Sequence, residues 1–453
     1  MRIKNLLTNP LDFRYMLDDL DLASSCSRQI LYETPVMHSA REIRDCYSQL
    51  EQFYTIFFID NNFTTTIRKI HRTLSSLRDI RLTLKRLENG VILDEIELFE
   101  IKNLIITNEE IREIFNGIPA LADVFILKPL NYLLLLLDPD EIGTNSFYIY
   151  DSYSEELSGI RSLLKKSPHS PELFYSASVI EQKIREELSQ KLASSSSELN
   201  FSLRTLASLD IVIAKAGQMK RLGLSIPKVS KEKTSYSSLF NPMIKEILQK
   251  EGKRYQKTHI EFKAGTPLLI TGANMGGKSV TLRNVGLCQY LFQCGFAIPA
   301  EQAYISPVSD VLLSIGDMQD IYRGLSSFAA EMEQISSILK AAKSGRRLLV
   351  LIDEPARSTN PLEGTALVKA LISILNKTNI SVLVTTHYNI GGKVDCKKIR
   401  VRGFEHGEMN YAFVEEEGGV APHEAINTAR SLGIDNQWLD LAESILINDN
   451  NES

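Results

Sequence analysis

The spacing of apolar positions changes twice along the chain and divides it into three regions. Over residues 1–150, apolar side chains recur at helical intervals between polar connections, as in "TIRKIHRTLSSLRDIRLTLKRLENGVILDEIELFEIKNLI" (66–105). Over residues 151–224 the pattern narrows to two stripes. In "VIEQKIREELSQKL" Ile180, Ile184, Leu188 and Leu192 repeat every four positions; after "ASSSSELN", a turn signal, Leu199, Leu203, Leu206 and Ile213 resume the stripe. Two stripes around a short serine turn predict an antiparallel helical hairpin, and two core helices of a compact domain fit the pattern equally. From residue 225 onward short apolar runs, "PLLI", "RLLVLI" and "ISVLVTT", alternate with helical segments. Runs that are nearly all apolar suit strands buried on both faces, so residues 225–453 read as an α/β domain on a parallel sheet. No internal repeat is visible.

Composition alters this picture little. The 453 residues are 43% hydrophobic and 24% charged, an ordinary globular balance. The longest apolar run, "NYLLLLLDPD", holds five leucines, far short of the roughly 20 residues of a membrane span, so no membrane association is expected. The N-terminus carries no apolar segment of signal-peptide type. Cysteines 26, 46, 288, 294 and 396 form no CxxC pair and read as reduced thiols of a cytoplasmic protein. The net charge of −5 argues against a uniformly basic nucleic-acid coat. One local exception is the cluster Arg68, Lys69, Arg72, Arg78, Arg81, Lys85 and Arg86, which reads either as a phosphate-contacting patch or as the solvated face of amphipathic helices.

The chemistry lies in the third region. Gly272-Ala273-Asn274-Met275-Gly276-Gly277-Lys278-Ser279, followed by Val280, fits G-x-x-x-x-G-K-[ST] between a predicted strand and a predicted helix. Its glycines let backbone N–H groups face phosphate oxygens, and the following helix adds its positive dipole end. Lys278 is expected to reach the β- and γ-phosphates of ATP, and the Ser279 hydroxyl to ligate Mg²⁺. A second run, "RRLLVLIDEP", ends a buried strand in Asp353 and Glu354: one carboxylate to hold the metal, one to orient the attacking water. A third, "VLVTTHY", places His387 just past another strand, as a sensor of the γ-phosphate or as a structural histidine. All three fall at carboxyl ends of predicted parallel strands, where open α/β sheets bind ligands.

These motifs resemble the MutS family. "TGANMGGKS" is similar to its Walker A loop, which has Pro where this chain has Ala273. "IPAEQAYISPVSDVLLSIGDMQD", "LSSFAAEME", "LIDEPARSTNPLEG" and "TTHY" follow in the family's order. The resemblance is close over 236–445. It continues more weakly through "DIRLTLKRLENGVILDEIELFEIKNLI" and "LLDPDE", which look like the core domain of the second bacterial MutS paralogue. It implies a P-loop ATPase domain of ATP-binding-cassette type behind an all-helical core and lever, in a homodimer with two composite sites. Asn274 and Ser326 would then belong to contacts made across the dimer, although Ser326 by pattern alone is a helix N-cap. Arg357 to Gly364 would link the two sites, and "GVAPHEAINTARSLGIDNQWLDLAESIL" would pack the subunits together.

The departures from the family bear on the client. No mismatch-reading segment is expected ahead of the core, no nuclease domain after residue 453, and Ser194 to Ser197 stand where the paralogues insert a DNA-gripping clamp. "DEPAR" replaces Asp-Glu-Leu-Gly-Arg, and Pro355 cannot donate a backbone hydrogen bond, so the loop after Glu354 should differ. The trimmed pattern, with "DEPARSTNP" and "APHEAINTARSLGI", is similar to the ATPase subunit that reactivates adenosylcobalamin-dependent lysine aminomutases. Two functions follow as expectations. One is a DNA-binding MutS homologue related to mismatch repair. The other is a protein-remodelling ATPase with an aminomutase as client. An idle nucleotide-gated scaffold fits poorly with the presence of Lys278, Ser279, Asp353, Glu354 and His387.

Overall fold

A computed structural model describes residues 1–59, 63–122, 124–143, 146–272, 276–315, 327–376, 378–388, 390–391, 394–405, 408–416, 426, 429–430 and 434–451. The first half is helical: α1 (Phe13–Asp18), α2 (Ser25–Glu33), α3 (Ala40–Tyr54), α4 (Thr64–Leu74), α5 (Arg81–Glu88), α6 (Glu95–Asn116), α7 (Pro119–Ala122), α8 (Asn131–Leu137), α9 (Glu155–Lys166), α10 (Pro171–Ala193) and α11 (Ser196–Leu222). Local chemistry sets the ends of these helices. Asp94 and Glu97 form a reciprocal capping box at the start of α6. Ser170 accepts from the Leu173 N–H, and Pro171 occupies the first turn of α10. Gly223, at φ 69, ends α11 in the left-handed conformation.

Both apolar stripes are buried through Ile184, Leu188, Leu192, Leu199, Leu203, Leu206 and Ile213. Their partners differ from the expected hairpin. α10 takes α9 as its neighbour, whereas α11 lies against α2, α3, α5 and α6. A stripe shows that a helix has a partner but not which one, and the short α9 supplies a face that pattern alone did not place. Only Ser194 and Ser195 separate α10 from α11.

The second half holds β1 (Lys228–Val229), β2 (Lys233–Leu239), α12 (Pro242–Lys250), β3 (Thr258–Lys263), β4 (Leu268–Thr271), α13 (Lys278–Gln293), β5 (Gln302–Ile305), β6 (Asp310–Ser314), α14 (Ser327–Ala342), β7 (Leu348–Ile352), α15 (Pro361–Leu375), β8 (Ser381–Thr385), β9 (Lys397–Glu405), β10 (Glu408–Glu415) and α16 (Asn436–Asn451). The main sheet has the order β10-β9-β4-β8-β7-β6 and is parallel except for β10, which pairs antiparallel with β9. A second, mostly antiparallel sheet, β1-β5-β2-β3, was not anticipated; its strands are short and half-polar and carry no continuous apolar run. Every residue of β7 and β8 is buried, as strands covered on both faces require.

One apolar core runs from Ile3 in the helical half to Ile399 in the main sheet. Its centre is α13. Leu11 packs so closely on Gly286 that any side chain there would collide with it. The far end of α13 is gripped by the helical half. The Met37 N–H donates to the Gln293 carbonyl (2.9 Å), the Tyr47 hydroxyl to the Phe296 carbonyl (2.7 Å) and Lys215 Nζ to the Cys294 carbonyl (2.7 Å). Among the described residues no helix is long and apolar enough to cross a membrane.

Candidate active site

Sheet register assembles the site. β8 lies between β4 and β7, pairing Ile270 with Thr385 and Ile352 with Val384. The segments that follow these three strands therefore emerge side by side at one edge: the glycine loop, Asp353-Glu354, and Thr386-His387. Backbone bonds lock the edge. The Asp353 N–H donates to Ser314 O (2.8 Å), that of Glu354 to Thr385 O (3.2 Å) and that of Thr386 to Ile270 O (3.0 Å).

The glycine loop turns at two residues with positive φ. Gly272 (φ 124) lies against Val401, where a side chain would be 3.1 Å from Val401 Cβ. Gly277 (φ 75) caps α13 and touches the Tyr411 ring. Lys278 Nζ donates to the Gly272 carbonyl (2.7 Å) and lies 3.5 Å from Glu354 Oε1. The Ser279 hydroxyl donates to Asp353 Oδ1 at 3.0 Å, and the Thr385 hydroxyl reaches the same oxygen at 2.6 Å. His387 Nδ1 stands 3.8 Å, and Arg357 Nη1 3.9 Å, from Glu354 Oε2. Lys278, Ser279, Asp353, Glu354 and His387, read from three separated motifs, thus share one site. Ala273, Asn274, Met275 and Ser326 lie outside the described residues.

A cavity of about 640 Å³ opens beside this cluster. Its lining includes Gly276 to Thr281, Glu354 and Arg357. Ile244 and Leu248 of α12, Tyr255 and Tyr411 supply apolar and aromatic lining, beside the charged Lys253 and Arg254. The Gln256 side chain fixes part of that lining by accepting from the Tyr411 N–H (2.9 Å) and donating to Asn410 (2.8 Å). None of these apolar and aromatic residues belongs to a motif; they come from α12, β10 and a connecting segment, and spacing offered no signal for them.

The loop after β7 passes through Pro355 between two residues of unusual backbone conformation. Glu354 (φ 46) and Ala356 (φ 61) are both left-handed, a conformation that costs a residue with a side chain roughly 1–3 kcal/mol. Side chains from elsewhere hold it. The Thr385 hydroxyl accepts from the Glu354 N–H (3.0 Å), Glu331 Oε1 accepts from the Ala356 N–H (2.9 Å), and the Tyr388 hydroxyl donates to the Ala356 carbonyl (2.6 Å). Burial raises the Glu331 carboxyl above its ordinary range, and burial together with the nearby Glu331 and Glu354 charges raises the Tyr388 phenol.

The family signature of MutS domain V matches residues 268–429, from the start of β4 through all three segments of this sheet edge. The second half of the chain therefore carries a domain of the MutS family. Among its relatives are proteins named endonuclease MutS2. That of Caldanaerobacter subterraneus subsp. tengcongensis is 34% identical over 233 residues, 51% of this chain and 28% of the relative. That of Caldicellulosiruptor saccharolyticus is 37% identical over 208 residues, 46% and 26% of the two chains. That of Thermus thermophilus is 34% identical over 205 residues, 45% and 26%. The match spans little more than a quarter of each of these MutS2 proteins, so it carries the domain and not the whole protein's activity.

Proposed function

We propose that this chain is a MutS-family ATPase that uses ATP binding and hydrolysis to change conformation. The observation that carries the reading is the convergence of Lys278, Ser279, Asp353, Glu354 and His387 at one sheet edge beside a cavity with aromatic lining. That lining suits a flat base, with the Tyr411 ring beside Gly277, and the loop backbone and Lys278 suit the phosphates. Ser279 Oγ and Asp353 Oδ1 are hard oxygen donors held together, a set that fits Mg²⁺ shared with substrate phosphates, and these two residues would hold it. The metal would neutralise phosphate charge. Glu354 orients the attacking water and accepts its proton as the bond to the γ-phosphorus forms and the bond to ADP breaks. His387, beside Glu354, senses the γ-phosphate. In a homodimer Asn274 and Ser326 complete the partner's site, and Arg357 to Gly364 connects the two.

Lys278→Ala and Glu354→Gln test this together. Lys278→Ala should lose nucleotide affinity, measured with a fluorescent ATP analogue. Glu354→Gln should bind ATP like wild type yet hydrolyse it at least ~100-fold more slowly. Normal turnover in Glu354→Gln removes this residue from the role, and wild-type affinity in Lys278→Ala removes the phosphate cradle.

Two clients fit this motor: duplex DNA, through relationship to mismatch-repair proteins, and a protein such as an adenosylcobalamin-dependent aminomutase. The two-residue link between α10 and α11, which leaves no inserted clamp there, favours the protein. The family relationship favours DNA.

A further inference from the structure

Ala356, two residues beyond Glu354, is held from both sides by side chains of other elements. Its N–H donates to Glu331 Oε1 at 2.9 Å, and its carbonyl accepts from the Tyr388 hydroxyl at 2.6 Å. Glu331 lies in the first part of α14, five residues past Ser326 in the chain; Tyr388 follows His387 beyond β8. The segment between needs such support. Pro355 has no N–H, so Ala356 carries the first backbone donor after Glu354, and left-handed residues with side chains persist only where their surroundings fix them. The clasp is itself packed in place. Tyr388 abuts Gly364 of α15, where any side chain would collide with the hydroxyl, and its N–H donates to Thr386 Oγ1 at 3.0 Å. Gln334, one turn along α14 from Glu331, ties that helix to the Leu313 carbonyl of β6.

We propose that Glu331 and Tyr388 are positioning residues for hydrolysis: by clasping Ala356 they fix the direction of the Glu354 carboxylate relative to Lys278 and His387. This rests on Glu354 being the carboxylate of the hydrolytic step. Neither residue lines the cavity, so neither contributes to nucleotide affinity directly. Their effect falls on kcat, because a reacting group displaced by even 1 Å can cost on the order of 100-fold in rate. The chemistry at position 331 requires an acceptor and not a charge. At position 388 it requires a hydroxyl donor on a ring of this size.

The test uses the full chain with four variants, Glu331→Ala, Glu331→Gln, Tyr388→Phe and Glu354→Gln. ATP turnover gives kcat and KM, and titration with a fluorescent ATP analogue gives affinity. Glu331→Ala and Tyr388→Phe should each lower kcat by about tenfold or more, with KM and affinity within about twofold of wild type. Glu331→Gln should restore turnover to within about threefold of wild type, since its amide oxygen still accepts the Ala356 N–H. Each residue is judged by its own variant. A kcat within about twofold of wild type overturns its role, as does a loss of affinity equal to the loss in kcat, which is what a merely structural residue gives. Glu331→Gln as slow as Glu331→Ala overturns the hydrogen-bond account. Should Glu331→Ala fail to fold, Tyr388→Phe and the Gln variant still decide it. Normal turnover in Glu354→Gln, by contrast, overturns the underlying catalytic reading and not the clasp.

Discussion

At the scale of single residues, the site is a set of carboxylates given different surroundings. Asp353 receives two hydroxyls on one oxygen, from Ser279 and Thr385, while Glu354 faces Lys278, His387 and Arg357. Glu331 is set behind them, and burial raises its carboxyl above the ordinary value, opposed by the Ala356 N–H that it accepts. The sign of the consequence for stability follows. Between the ordinary value and the raised one, the folded chain keeps a proton that the unfolded chain has released. The contribution of Glu331 to stability is therefore greatest below that window and falls as pH rises through it. Glu331→Gln removes this dependence while keeping the acceptor. Its Tm relative to wild type should rise from about pH 4 towards neutrality, followed by thermal unfolding across that range. A difference that stays constant with pH would show that Glu331 does not titrate against folding. Lys278, Ser279, Asp353, Glu354 and His387 were legible in the sequence because each belongs to a short contiguous motif. Glu331, Thr385 and Tyr388 lie within the runs "LSSFAAEME" and "VLVTTHY", yet their roles, like that of Tyr411, were not legible, because each acts through a hydrogen bond or packing contact that only the fold creates.

At the scale of elements, α13 connects nucleotide chemistry to the rest of the chain. Its first residue is Lys278, and the chain at its far end, Gln293 to Phe296, is held by Met37, Tyr47 and Lys215 from three places in the helical half. A shift of the loop at one end would therefore reach α3 and α11 at the other, along a helix about 24 Å long. Strands β4, β7 and β8 could be read from nearly continuous apolar runs because burial on both faces leaves few polar positions. The pairing of α10 with α9 could not, since a stripe records burial without naming the neighbour. A stripe of another kind remains on α16 and the residue pair before it. Ile434, Trp438, Leu441 and Ile445 are all exposed at spacings of four, three and four, the seam of a helix that packs against another helix. Leu439 of the same helix is buried, so the stripe faces away from the subunit. If a second copy covers it, Trp438, the one tryptophan of the chain, should shift its emission to the blue as protein concentration rises. Leu441→Glu should weaken the dimer roughly a hundredfold or more, since each copy loses a side chain whose burial contributes about 1.5–3 kcal/mol. Sedimentation reads both, and an unchanged association constant in the variant would exclude α16 from the interface.

At the scale of the whole molecule, the question is whether the chain can hold DNA without an inserted clamp between α10 and α11. Charge is the first consideration. The chain carries −5 overall, and the basic cluster of the helical half is smaller on the folded surface than it is in the sequence. Arg81 is engaged by Asp79 at 2.6 Å and by Glu33 at 2.5 Å, and Arg86 by Glu97 at 3.0 Å. Arg78 lies over the Phe99 ring. Arg68, Lys69, Arg72 and Lys85 remain exposed on α4 and α5. Four phosphate contacts per subunit would give a dependence of log K on log salt of about −3.6, and such binding is micromolar or weaker near physiological salt. Shape is the second consideration: with Ser194 and Ser195 as the entire link between α10 and α11, no segment inserted there can grip a duplex. The expected outcome is weak, strongly salt-dependent binding with little preference for a mismatch. Fluorescence anisotropy with matched and G·T-mismatched duplexes, with and without ATP and at two salt concentrations, measures each part. Arg68→Ala with Lys69→Ala should reduce the salt slope by about 2 and weaken both duplexes equally, because phosphate contacts carry no sequence information. Nanomolar affinity that favours the mismatch would contradict the charge count and make DNA the client. Weak, non-discriminating binding that leaves ATP turnover unchanged would direct the search for the client to proteins.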